Sequence, residues 1–110
     1  VRYGPNQNRN YSYEKYQDIL DAILEKLIEK QIGLECNTAG FKYGLGHPNP
    51  TEKILARYRE LGGEILTLGS DAHAPEHIAY HFKETVQILK DCGFRYYTVF
   101  KERKPEFLKL

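Results

Sequence analysis

The sequence predicts an α/β fold, a partial (β/α) barrel with about three parallel strands alternating with three helices. Helical and strand patterns take turns from Tyr13 to Phe100, and strands joined through helices run parallel by right-handed crossovers. A parallel sheet needs cover on both faces, and a closed barrel of such units takes about 250 residues, whereas this chain has 110. Residues 1–110 are therefore read as part of a single domain. Val1 rather than Met at the start carries the expectation that upstream sequence is missing.

Each element has its own signal. Residues 1–10 hold Gly4, Pro5, three Asn and one Gln without a period, which predicts a loop. Ser12 is a plausible cap for a helix over Tyr13–Lys30, whose stripe is Tyr16, Ile19, Leu20, Ile23 and Leu27. Ile32–Asn37 alternates, so a strand should turn Ile32, Leu34 and Cys36 to one side and Gly33, Glu35 and Asn37 to the other. After a Gly- and Pro-rich loop, Thr51 caps a helix with Ile54, Leu55, Tyr58 and Leu61 buried, ended by Gly62-Gly63. Glu64–Gly69 is the second strand, stopped by Ser70–Pro75. Pro75 suits the first turn of a third helix with the stripe Ile78, Phe82, Val86, Leu89 and Cys92. Phe94–Phe100 is the third strand, and the tail 101–110 should pack across the sheet or a helix.

Composition narrows function by exclusion. A net charge of +1 supplies no general field for nucleic acid or an anionic membrane. The Lys101-Glu102-Arg103-Lys104 cluster is too short for a nucleic-acid footprint. No apolar run approaches the ~20 residues of a transmembrane helix, and no signal peptide is expected from these residues. Cys36 and Cys92 lack metal-type spacing and read as small core residues in a reducing, cytoplasmic setting.

In parallel α/β structures, reactive groups gather beyond the C-terminal ends of the strands. Two loops qualify, 38–50 and 70–75. The second holds Asp71 and His73, a carboxylate and an imidazole suited to a divalent metal. Asp71 shares parity with Ile65, Thr67 and Gly69, opposite Leu66 and Leu68, so it belongs to the inner face. Glu35 and Asn37 share the small or polar side of the first strand. Two readings of Glu35 stand: a group supporting the metal ligands, or an exposed carboxylate paired with a lysine. His47 lies near the same mouth without a motif. His73, His77 and His81 recur every fourth residue, but Pro75 starts the helix after His73, leaving His77 and His81 as surface residues.

Five stretches carry a family resemblance. Leu34-Glu35-Cys36-Asn37-Thr38-Ala39-Gly40, Tyr43-Gly44-Leu45-Gly46, Arg57 through Gly63, Gly69-Ser70-Asp71-Ala72-His73, and Tyr96 through Phe100 with Arg103-Lys104-Pro105 together resemble the C-terminal part of histidinol-phosphatases of the polymerase-and-histidinol-phosphatase (PHP) superfamily. The resemblance implies a distorted seven-stranded barrel with two or three divalent metals (Zn, Mn or Fe). It implies hydrolysis of L-histidinol phosphate to histidinol and phosphate in histidine biosynthesis. Asp71 and His73 match the last metal-binding motif and are the implied catalytic residues, while Lys42 sits where a cation meets the substrate phosphate. The earlier His-x-His motif has no counterpart here.

A catalytic zinc site needs about three protein ligands, so the isolated chain should bind metal weakly and be inactive. Another PHP phosphoesterase, such as a nuclease or polymerase-associated domain, and a non-catalytic interaction domain are the rival readings. An incomplete sheet exposes edges and apolar surface, which predicts self-association.

Overall fold

The computed structural model describes residues 13–42, 44–70 and 81–110. They form a mixed α/β unit with a small parallel sheet and packed helices. The calls on Ser12, Asp71, His73, Pro75, His77 and Ile78 lie outside the described residues.

A 3₁₀ turn at Glu14–Tyr16 leads into α1 (Gln17–Glu29). The helix occupies the predicted span, but its buried face is rotated from the predicted one. Leu24 is buried and Leu20, Leu27 and Ile28 pack on the core, whereas Ile19 and Ile23 are 63% and 51% exposed. Apolar residues in adjacent pairs (Ile19-Leu20, Ile23-Leu24, Leu27-Ile28) make the apolar arc wide, and the tertiary anchor selects its edge. That anchor is Asp21, which accepts from Arg57 Nε and Nη2 at 3.1 Å each and from the Tyr13 hydroxyl at 2.6 Å. The two-pronged Arg–carboxylate geometry fixes orientation as well as distance.

Strands β1 (Leu34–Asn37) and β2 (Leu66–Gly69) pair in parallel with Leu34 opposite Leu66, Glu35 opposite Thr67 and Asn37 opposite Gly69. The predicted parity is observed. Cys36 and Leu66 are fully buried and Leu68 packs on the core, while Glu35 is exposed on the other side. Ile32, predicted to share the buried side, precedes β1 and is 51% exposed. Burial pushes the Cys36 thiol up to about 12 and also raises that of Cys92. Both cysteines are free, as their reading as packing residues requires.

After β1 comes a single turn, α2 (Ala39–Lys42), and then a loop that folds back before α3 (Glu52–Glu60). Ile54, Leu55 and Tyr58 of α3 are buried as predicted. Tyr58 stacks on Phe94 with ring centroids 6.3 Å apart, and its hydroxyl donates to the Ile65 carbonyl at 2.8 Å. Gly62 and Gly93, just past α3 and α4 (Phe82–Asp91), have φ of 103° and 101°, the left-handed exit that favours glycine. On α4, Thr85 and Leu89 are the buried residues.

The C-terminal part departs from the prediction. Strand β3 (Tyr96–Lys101) forms, but its hydrogen-bonded partner is β4 (Lys104–Lys109), antiparallel, rather than a parallel neighbour. The tail is thus the second arm of a hairpin. Glu102 and Arg103, at φ 53° and 65°, make the two-residue loop, and left-handed loop residues match the twist of a hairpin. Against β2, β3 offers a side chain: the Leu66 N–H donates to the buried Thr98 hydroxyl at 3.2 Å. No helix among the described residues is long and apolar enough to cross a membrane.

Candidate functional site at the ends of the parallel strands

The C-terminal ends of β1 and β2 meet at Asn37 and Gly69. Strand alternation points Glu35 away from the core, and its carboxylate leans along the sheet towards Gly69. A Cβ built on Gly69 would lie 2.8 Å from Glu35 Oε1 and 3.1 Å from its Cδ. Glycine at that position leaves room for the acid.

Asn37 holds the carboxylate from the side. Its Nδ2 donates to Glu35 Oε1 at 2.8 Å, and its Oδ1 accepts from the Ala39 N–H at the start of α2, also at 2.8 Å. One amide therefore ties the acid to the first turn after the strand. Glu35 has Asn37 as its recorded partner, and no lysine pairs with it among the described residues. The Lys42 side chain lies outside the described set, so the structure does not test the lysine-paired reading.

The returning loop closes the same edge. Asn37 and Asn49 exchange both backbone hydrogen bonds at 2.8 Å, and the Asn49–Pro50 peptide is cis. Gly40 lies directly against the His47 carbonyl, where a side chain would collide with backbone. His47, which no motif assigned to the site, is thereby held at the rim. Its Nδ1 is 2.7 Å from the Pro48 carbonyl. A carbonyl only accepts, so Nδ1 carries the proton. Among the described residues, Nε2 is buried without a hydrogen-bond partner, as is the Thr38 hydroxyl. The Thr38 N–H donates to the Gly69 carbonyl at 2.8 Å, extending the parallel ladder to the last residue of β2.

Asp71 and His73 lie outside the described residues, so the structure does not test their assignment. Gly69, two residues before Asp71, sits beside the Glu35 carboxylate. Lys42 ends α2, with its side chain outside the described set. No group of three or more metal-binding side chains occurs among the described residues. What they supply towards a divalent ion is a solvent-facing carboxylate, hard oxygen chemistry that fits such an ion.

His81 corrects another expectation. It has φ 55° and directly precedes α4, so the described helix begins at Phe82 and no uninterrupted helical face passes through His81. Its ring stacks on Phe41 with centroids 5.0 Å apart, and Nδ1 lies 3.6 Å from a Glu84 carboxylate oxygen. It is a partly buried packing residue rather than a plain surface histidine.

Comparison with known proteins places this rim in a wider setting. The chain is 38% identical over 96 residues to a probable histidinol-phosphatase of Thermotoga maritima, covering 86% of this chain and 40% of that protein. A probable histidinol-phosphatase of Clostridium acetobutylicum is 29% identical over 106 residues, covering 94% and 39%. The chain resembles histidinol-phosphatases along nearly its whole length. It spans about 40% of the length of these histidinol-phosphatase relatives. The crystal structure of histidinol phosphate phosphatase from Lactococcus lactis, complexed with Zn, L-histidinol and phosphate, matches 96% of this chain and 40% of its own, with a TM-score of 0.77 at 27% identity. No family model matches the chain.

Proposed function

We propose that the chain is the C-terminal part of a PHP-superfamily phosphomonoesterase that hydrolyses L-histidinol phosphate to histidinol and phosphate, a cytoplasmic step of histidine biosynthesis. The observation that carries the reading is the near-full-length likeness to histidinol-phosphatases, in sequence and in fold. In the intact protein the two parallel strands belong to a distorted seven-stranded barrel, and the rim at Asn37 and Gly69 belongs to its mouth.

The reaction forms a bond from a water oxygen to phosphorus and breaks the ester bond. The proton lost by water balances the one gained by the departing alkoxide. Divalent ions, two or three of the Zn, Mn or Fe kind, supply charge neutralisation and acidify water when bound. Asp71 and His73 donate a carboxylate oxygen and an imidazole nitrogen to them. Glu35, steadied by Asn37 and given room by Gly69, supports those ligands from the neighbouring strand. Lys42 contributes a point charge towards the phosphate. The partner is a small phosphate ester, not nucleic acid or membrane.

Asp71→Ala or His73→Ala in the intact protein is expected to lower phosphate release from L-histidinol phosphate at least a hundredfold. Substituting His77 leaves it unchanged. Unchanged activity in Asp71→Ala and His73→Ala would overturn the assignment.

A further inference from the structure

Each parallel strand leads into a segment that carries part of the proposed chemistry. Strand β1 passes into α2, whose last residue is Lys42. Strand β2 is followed in sequence by Asp71 and His73, and His81 is the residue immediately before α4. These two stretches meet where the His81 ring stacks on Phe41, with centroids 5.0 Å apart and planes 19° from parallel, inside the range of offset-stacked aromatic pairs.

Helix α2 has little to hold it by itself. Its four residues make one turn, and a single turn costs more backbone freedom than its hydrogen bonds offset. It is held from outside instead. The first residue donates the Ala39 N–H to Asn37 Oδ1 at 2.8 Å, and the second, Gly40, lies against the His47 carbonyl. The third, Phe41, meets the His81 ring. Lys42 comes next in the chain, so its placement follows that of the turn.

Neither the backbone nor the start of α4 calls for a histidine at position 81. Its φ of 55° and ψ of 23° are left-handed, a conformation that glycine and asparagine adopt at less cost. Its side chain makes no capping hydrogen bond to α4, as a serine, threonine, aspartate or asparagine there would. Its contact with Glu84 is 3.6 Å long, with an acid that is 61% exposed, and such ion pairs contribute little. What an imidazole adds is a flat face laid on Phe41.

We propose that His81 is a positioning residue for the phosphatase: its ring clamps Phe41 and thereby sets Lys42 towards the substrate phosphate, a role that rests on the reading of Lys42 as the phosphate-contacting cation. The stack ties the start of α4 to the turn after β1. His81 itself touches neither substrate nor metal.

The test is steady-state phosphate release from L-histidinol phosphate by the intact protein. His81→Gly removes the ring and suits the left-handed backbone, so its thermal midpoint should stay close to that of the wild type; His81→Asn is a second ring-free variant of the same kind. In both, KM is expected to rise at least about fivefold with kcat little changed, because a phosphate contact made in ground state and transition state alike acts on KM. His81→Phe rebuilds the stack without the Glu84 contact and should bring KM back to within about twofold of the wild type. In a Lys42→Ala background, His81→Gly should add nothing further, since the two residues act through one contact. An unchanged KM in the ring-free variants, no recovery in His81→Phe, or effects of His81→Gly and Lys42→Ala that simply multiply would each overturn the role of His81. A wild type that releases no phosphate from L-histidinol phosphate would instead defeat the reading of the reaction. Amide exchange then decides the clamp by itself. The Phe41, Gly44 and Leu45 N–H groups bond to the Thr38, Phe41 and Gly40 carbonyls, and they should exchange faster in His81→Gly than in the wild type or His81→Phe. Equal rates in all three would overturn it.

Discussion

A carboxylate at the end of a strand is useful only when something aims it, and at Glu35 two neighbours do so. The Asn37 amide fixes one oxygen, and the missing side chain at Gly69 leaves the space the acid occupies. Gly69→Ala would place a methyl 2.8 Å from Glu35 Oε1, and the flexible acid would yield rather than the backbone. In the intact protein this variant is therefore expected to lose at least tenfold in metal-dependent phosphatase activity while its thermal midpoint moves by only a few degrees. Unchanged activity would detach Glu35 from the reaction. The side on which Glu35 and Asn37 lie was legible from alternation alone. That Asn37 would hold Glu35 was not, because the hydrogen bond to Ala39 depends on the chain turning immediately after the strand. The clamping of His47 was equally invisible, since it rests on a loop that folds back onto Gly40.

Helix α1 is tied to α3 by a side-chain device with a pH dependence. The Arg57 guanidinium first, and then the Tyr13 hydroxyl, hold the Asp21 carboxyl below its usual range. A lowered folded-state value means this contribution is present above the unfolded carboxylate value, about 3.9. It is lost as pH falls through the folded value. Urea midpoints should therefore fall below about pH 4, and Asp21→Asn should weaken the chain at neutral pH while flattening that acid limb. An acid limb as steep in Asp21→Asn would contradict the assignment. The hairpin supplies a second prediction. Glu102 and Arg103 adopt left-handed backbone without being glycine or asparagine, so replacing them by Asn-Gly should stabilise the chain by about 1 kcal/mol. A fall in the urea midpoint would contradict the turn geometry. These elements also show what a sequence pattern withholds. The helix α1 was legible as a helix, but its buried edge depended on where Arg57 arrives. The hairpin lacked any Asn-Gly signal, so the tail was not recognised as a strand.

At the scale of the whole molecule, the chain spans about 40% of the length of its histidinol-phosphatase relatives. Exposed apolar side chains at Ile19, Ile23, Tyr96, Phe100 and Phe107 are numerous for so small a unit. The isolated chain is expected to self-associate, shown by a sedimentation coefficient that rises with concentration, and to take up Zn only weakly. A monomer at every concentration would contradict the first expectation, and tight stoichiometric Zn binding the second. The parallel arrangement of β1 and β2 was legible, because helices separate them in sequence. The antiparallel partner of β3 was not, since strand direction at the C-terminal end depends on a two-residue turn. The most direct test of the central claim is phosphate release by the intact protein, comparing L-histidinol phosphate with nucleotide substrates, with and without chelator. The account predicts rapid, chelator-sensitive release from L-histidinol phosphate and little from the nucleotides. Release that is indifferent to chelator, or that favours nucleotides, would contradict it.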